Sequence, residues 1–109
     1  PDWSMSDGCT VWPGARVLAR LVLSGELDVL GRHVLEIGCG LGLAGLACAR
    51  RGANLAVLTD RDDGVLDAVN ASARLNGLTD LVKTMCWDWT ARSENNGLAD
   101  AFKSVSGSS

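Results

Sequence analysis

Six residues carry the chemistry this sequence offers: Glu36, Gly38, Gly40, Gly42, Gly45 and Asp60. They fall into two competing registers. Gly40, Gly42 and Gly45 spell GxGxxG, with Asp60 lying 20 residues past Gly40. That spacing lets a glycine turn cradle a pyrophosphate while the acid meets a ribose hydroxyl. Glu36, Gly38, Gly40 and Gly42 instead spell ExGxGxG, with Asp60 ending the next strand. The second register explains more, because it gives Glu36, an acid inside an otherwise apolar strand, a ligand-facing role. Either way, glycines let the backbone turn sharply and approach a ligand without a Cβ between them. A helix that follows such a turn offers unbonded N–H groups and the positive end of its dipole.

The other reactive side chains are isolated. Cysteines stand at 9, 39, 48 and 86 with no CxxC pair, and His33 is the single histidine. No metal site is expected from such spacings. Nothing marks the chain as secreted, so the cysteines read as buried thiols in a reducing cytoplasm rather than disulfides. Cys39 sits within the turn but has no partner base in the sequence, and His33 reads as a strand-entry residue. Bland readings remain for the candidates too. Glu36 could point outward beside a base, Asp60 could cap a turn, and Trp12 could be plain core.

The elements that must position these residues follow from the apolar pattern. Pro13 suits the first turn of a helix, in which Ala15, Val17, Leu18, Leu21 and Val22 recur at helical spacing up to Gly25. His33 to Ile37 reads as a strand running into the glycine turn. Leu43 to Arg51 reads as a helix stopped by Gly52. Ala53 to Thr59 is a second apolar strand ending at Asp60, and Asp62 or Asp63 can cap a helix running to about Asn76. Val65, Leu66, Val69, Ala73 and Leu75 are its apolar positions. Leu81 to Trp87 reads as a third strand. The last five elements make a βαβαβ unit, which implies a parallel sheet with right-handed crossovers. Segment 1–10 reads as irregular, 11–90 as the folded domain, and 91–109 as a flexible tail or linker.

Composition bounds the class. The 109 residues are 47% hydrophobic and 21% charged, with net charge −3, which describes one globular domain. The acidic balance argues against nucleic acid as a partner. Arg16, Arg20 and Glu26 interrupt the best apolar run, so no membrane span is expected, and no signal peptide is recognisable.

At this point the sequence resembles a known family. VLEIGCGLGLAG followed by LTDRDDGVLDAV is similar to motifs I and II of the class I S-adenosylmethionine-dependent methyltransferases. VWPGARVLARLV upstream, ARLNGL after the third helix and the DW of CWDW narrow the match. Together they resemble the family 16, protein-lysine methyltransferase-like group over roughly Gly8 to Thr90. The resemblance implies a Rossmann-like, doubly wound α/β sheet, here cut to an N-terminal helix plus the βαβαβ unit. It implies S-adenosyl-L-methionine as cofactor and transfer of its methyl group to a protein lysine. Residue by residue, it places Trp12 beside the cofactor site and Gly38 and Gly40 against the methionine part. Glu36 becomes the acid ending the first strand, Asp60 the ligand of the ribose hydroxyls, and Trp89 a wall for the adenine. Trp87 stands close enough to share that last role under a shift of one or two residues. No catalytic residue is implied.

The family pattern continues with a fourth strand carrying an Asp-x-x-Tyr-type motif, and this chain has no tyrosine. The expectation is therefore a cofactor-binding portion without its acceptor half. The first strand's second edge would be left unpaired, to be covered by a partner or by self-association. Two other readings stand beside this one: an NAD-type dinucleotide-binding module, and a catalytically silent methyltransferase fold kept for interaction.

Overall fold

A computed structural model of the chain describes residues 13–88 and Lys103. Trp12, Trp89 and both outer domain boundaries lie outside the described residues. Six elements follow in order: α1 (Pro13–Leu23), β1 (His33–Glu36), α2 (Leu43–Arg50), β2 (Leu55–Asp60), α3 (Asp63–Leu75) and β3 (Val82–Cys86). The three strands form one sheet in the order β1-β2-β3. Both pairings are parallel, running from His33↔Leu55 to Glu36↔Leu58 and from Ala56↔Val82 to Asp60↔Cys86. The chain is thus α/β with a Rossmann-like unit, as its alternating pattern implies.

Two crossovers of the same hand in the same direction must place α2 and α3 on one face of the sheet. The core confirms it: Ala49 of α2 and Leu66, Val69 and Ala73 of α3 pack with Ala56 and Leu58 of β2 and Val82 of β3. β2 is the buried centre, with Ala56, Val57, Leu58 and Thr59 fully enclosed. Each large aliphatic side chain so buried contributes roughly 1.5–3 kcal/mol, which makes this strand the rigid reference for everything at its end. A second cluster joins Ala19 and Val22 of α1 to Ala47 and Cys48 of α2, with Val29 and Ala53 closing it. The connector after α1 is tied to the loop before β2 by Gly31 N–H donating to the Gly52 carbonyl at 2.8 Å and Asn54 N–H to the Arg32 carbonyl at 2.9 Å.

The apolar faces differ from the sequence reading in two places. α1 turns Ala19 and Val22 inward, whereas Val17, Leu18 and Leu21 are exposed. The reason is the neighbour: α2 offers Ala44, Ala47 and Cys48, and two helices so lined approach closely on their small residues. On α3, Val65, Leu66, Val69 and Ala73 are buried, but Leu75 is 88% exposed because it falls off their i, i+3, i+4 stripe. Among the described residues β1 and β3 each bond to β2 alone, so the outer edge of each is unpaired there. No helix there is long and apolar enough to cross a membrane.

Candidate functional site

Parallel strands deliver their C-terminal ends to one edge of the sheet, and the crevice there is where open α/β sheets take ligands. β1 ends at Glu36 and β2 at Asp60, so the two acids singled out in the sequence arrive at the same edge. The chain between Glu36 and α2 must reverse within six residues. It does so through Gly38, Gly40 and Gly42, with φ of 63°, 53° and 77°, the left-handed region that glycine enters without penalty. Gly38 faces open space: a Cβ built there would meet nothing within 4 Å. Gly42 and Gly45 are the opposite case. A Cβ at Gly42 would lie 2.9 Å from Leu58 and 3.2 Å from Val69, and one at Gly45 would lie 2.6 Å from Leu58 and 2.8 Å from Glu36 Oε1. The first half of the turn therefore opens outward, while the second half packs against the core.

Asp60 holds the turn from the neighbouring strand. Its Oδ2 accepts the Gly40 N–H at 3.1 Å and its Oδ1 accepts the Asp62 N–H at 3.1 Å. A carboxylate has about four acceptor positions, so two remain after these bonds. Its own carbonyl accepts the Trp87 N–H at 3.0 Å, which anchors the residue just past the end of β3 beside it. Trp87 is half-buried there.

Glu36 plays a part that spacing does not announce. α2 begins after Gly42, an N-cap with no side chain to offer its orphan N–H groups. Glu36 supplies the missing acceptor from β1: its Oε1 takes the Gly45 N–H, the third of the helix, at 3.1 Å. Burial pushes the Glu36 carboxyl up to about 7, and the Gly45 N–H pulls it back only in part. Near neutrality the group is therefore poised between acid and carboxylate. Cys39 lies buried in the same turn, and burial, with Glu36 and Asp60 nearby, pushes its thiol up to about 12. A thiol so held is not a nucleophile at neutral pH. Cys48 is buried as well, but Cys86 is exposed, contrary to the reading of every cysteine as core. The strand-end position alternates outward there, and its Sγ leans on the Arg61 carbonyl at 3.6 Å. Among the described residues no cluster of His, Cys, Asp and Glu could hold a metal.

Of the six residues proposed from sequence, the structure brings Glu36, Gly38, Gly40 and Asp60 together, while Trp12 and Trp89 lie outside the described residues. His33 is exposed at the far end of β1. Two bonds at this site escaped the sequence reading. The Gly45 N–H donates to Glu36 Oε1 at 3.1 Å, and Thr59 donates its hydroxyl to the Glu36 carbonyl at 2.9 Å. A helix that follows a glycine cap, and a hydroxyl at the end of an apolar strand, were the signals that pointed to them.

The family model for lysine methyltransferases matches residues 1–102. The electron transfer flavoprotein beta subunit lysine methyltransferase of Danio rerio is 37% identical over 81 residues, 74% of this chain and 30% of that protein. Protein N-lysine methyltransferase METTL21A of Danio rerio is 39% identical over 62 residues, 56% of this chain and 28% of that protein. A chain of the solved Trypanosoma brucei PRMT1 enzyme-prozyme heterotetrameric complex with AdoHcy superposes with a TM-score of 0.57 at 27% identity, over 74% of this chain and 24% of that one. The chain spans less than a third of the length of either curated relative.

Proposed function

Because the chain belongs to the lysine methyltransferase family, we propose that it is the S-adenosylmethionine-binding portion of a protein-lysine N-methyltransferase. The observation that carries this is the Asp60–Gly40 hydrogen bond of 3.1 Å. It fixes a carboxylate with spare acceptor positions beside a backbone opened by Gly38. The group fits the residues present. The two ribose hydroxyls find the remaining lone pairs of Asp60, and the methionine part lies along Gly38 and Gly40, where no side chain intervenes. Its carboxylate is suited to the N-terminal end of α2. When bound, the cofactor supplies an electrophilic methyl group.

The protein's part in this portion is orientation. β2 is enclosed by core on its helix face, so Asp60 projects from a rigid base; Asp60 pins the turn at Gly40 and Glu36 pins the start of α2 at Gly45. Such positioning of a reacting methyl accounts for a large share of the rate in a transfer of this kind. A lysine acceptor must lose its proton before it can attack. The open edge of β1 supports a further expectation, that a partner segment or a second copy covers this strand.

Titration calorimetry of the chain with S-adenosylhomocysteine, with NAD as the competing ligand, tests the reading. Saturable binding of the first and none of the second is the expected result. Asp60→Ala should weaken binding by roughly 100-fold or more, the worth of two charge-assisted hydrogen bonds at the low end of their range, about 1.5 kcal/mol each. Binding of NAD in place of S-adenosylhomocysteine would transfer the site to the dinucleotide reading. A folded chain that binds neither would leave an interaction domain.

A further inference from the structure

Thr59 is the buried polar side chain among the described residues, with no exposure at all, and nothing in the cofactor reading so far uses it. It is the penultimate residue of β2. Its hydroxyl donates to the Glu36 carbonyl at 2.9 Å, and its own carbonyl accepts the Cys39 N–H at 2.7 Å. The next residue, Asp60, accepts the Gly40 N–H. Two consecutive residues of β2 thus hold three successive points of the neighbouring chain: the last residue of β1 and two residues of the turn.

The register explains why a hydroxyl is needed at that point. Glu36↔Leu58 is the last pair of the β1–β2 ladder, and past it the chain must leave the sheet and turn. The Thr59 hydroxyl reaches the Glu36 carbonyl where the ladder stops. Glu36 is then held twice, through its carbonyl by Thr59 and through Oε1 by Gly45. Valine would fill the same enclosed space with the same branching, so the only thing the hydroxyl adds is this bond. Without it the Glu36 carbonyl loses one hydrogen bond where the ladder ends, and the strand end that leads into Gly38 and Gly40 is held less firmly.

We propose that Thr59 is a positioning residue for the cofactor: its hydroxyl sets the end of β1 so that the glycine turn meets the Asp60 carboxylate at binding distance. The proposal rests on the reading of this crevice as the S-adenosylmethionine site. It assigns Thr59 no contact with the cofactor.

The test compares Thr59→Val and Thr59→Ser with the unaltered chain by two readouts, amide hydrogen exchange without ligand and calorimetric affinity for S-adenosylhomocysteine. In Thr59→Val the Cys39 and Gly40 amides should exchange about tenfold faster, the loss of one hydrogen bond's restraint, while Val69 and Ala73 in α3 stay protected. Affinity should fall by a similar factor, and Thr59→Ser should restore both. Unchanged affinity and exchange in Thr59→Val would overturn the proposal. So would a uniform loss of protection reaching α3, which would make Thr59 a core residue only. If the unaltered chain binds no S-adenosylhomocysteine, the cofactor reading fails and the positioning role falls with it. The exchange arm still decides separately whether the hydroxyl holds the turn.

Discussion

The two strand-to-helix turns at the C-terminal edge of the sheet solve the same problem in opposite ways. The turn after β2 is local: Asp62 caps α3 with its own Oδ1, which accepts the Gly64 and Val65 N–H groups at 2.8 and 3.4 Å. The turn after β1 is built from glycines and has no cap of its own. It borrows its acceptor from Glu36 on the preceding strand and its outer restraint from Asp60 on the next. Removing side chains makes room for a ligand, and the shape they would have fixed must then come from elsewhere. The first turn is therefore coupled to the core and to a titrating carboxyl, whereas the second stands on its own sequence.

The sharpest way to break the contrast is Gly42→Ala. At φ 77° an L-residue is strained, and the new Cβ would press on Leu58 and Val69 inside the core. Left-handed strain and overpacking together should cost about 3–4 kcal/mol. Urea unfolding should show it as a much lower midpoint at unchanged slope. A loss below about 1 kcal/mol, with affinity for S-adenosylhomocysteine intact, would mean that the glycine turn is looser than its packing indicates.

How legible this was from the sequence follows the same division. Asp62 or Asp63 as a cap, Pro13 at a helix start and the alternation of strands with helices are local signals, and α3 begins where they put it. The ends of the strands were read one or two residues too long. Ile37 lies outside β1 and is exposed, because the turn begins as soon as the ladder to Leu58 ends. Glu36, Gly38, Gly40 and Asp60 were legible as a set because a motif fixes their spacing. What Glu36 bonds was not, since its partner Gly45 is fixed by the pitch of a helix and not by sequence distance. Thr59 read as one more residue of an apolar strand for the same reason: its hydroxyl acts across the sheet. Leu18 and Leu21 misled because hydrophobicity outweighed size, and the close contact of α1 with α2 selects small residues.

The second prediction sharpens the contrast through pH. The Glu36 carboxyl stands at about 7 in the folded chain against 4.5 unperturbed. Between those values the folded state holds a proton that the unfolded state has released, so stability falls as pH rises from about 4.5 to about 7 and levels off above. A shift of this size corresponds to roughly 3 kcal/mol. The difference in unfolding free energy between the unaltered chain and Glu36→Gln, measured from pH 5 to 8, should carry that slope. Glutamine keeps an oxygen for the Gly45 N–H but cannot titrate. A difference that stays flat across this range would show the carboxyl to be well solvated, and the borrowed cap to be less buried than the geometry implies.

The smallest effect belongs to the independent turn. Asp62→Ala removes the cap of α3 and should cost about 1 kcal/mol, as loss of an N-cap side chain typically does. The substitution leaves the Asp62 N–H in place, so the bond from that group to Asp60 Oδ1 survives and the carboxylate keeps its orientation. Affinity for S-adenosylhomocysteine should therefore stay within about twofold, well inside the change that one lost hydrogen bond would give. The pH slope assigned to Glu36 should be untouched as well, because no bond of Asp62 reaches β1 or α2. Calorimetry and urea unfolding on this one variant would separate the two turns. A tenfold loss of affinity from Asp62→Ala would show that the second turn is also coupled to the site, through the Asp60 carboxylate that both turns share.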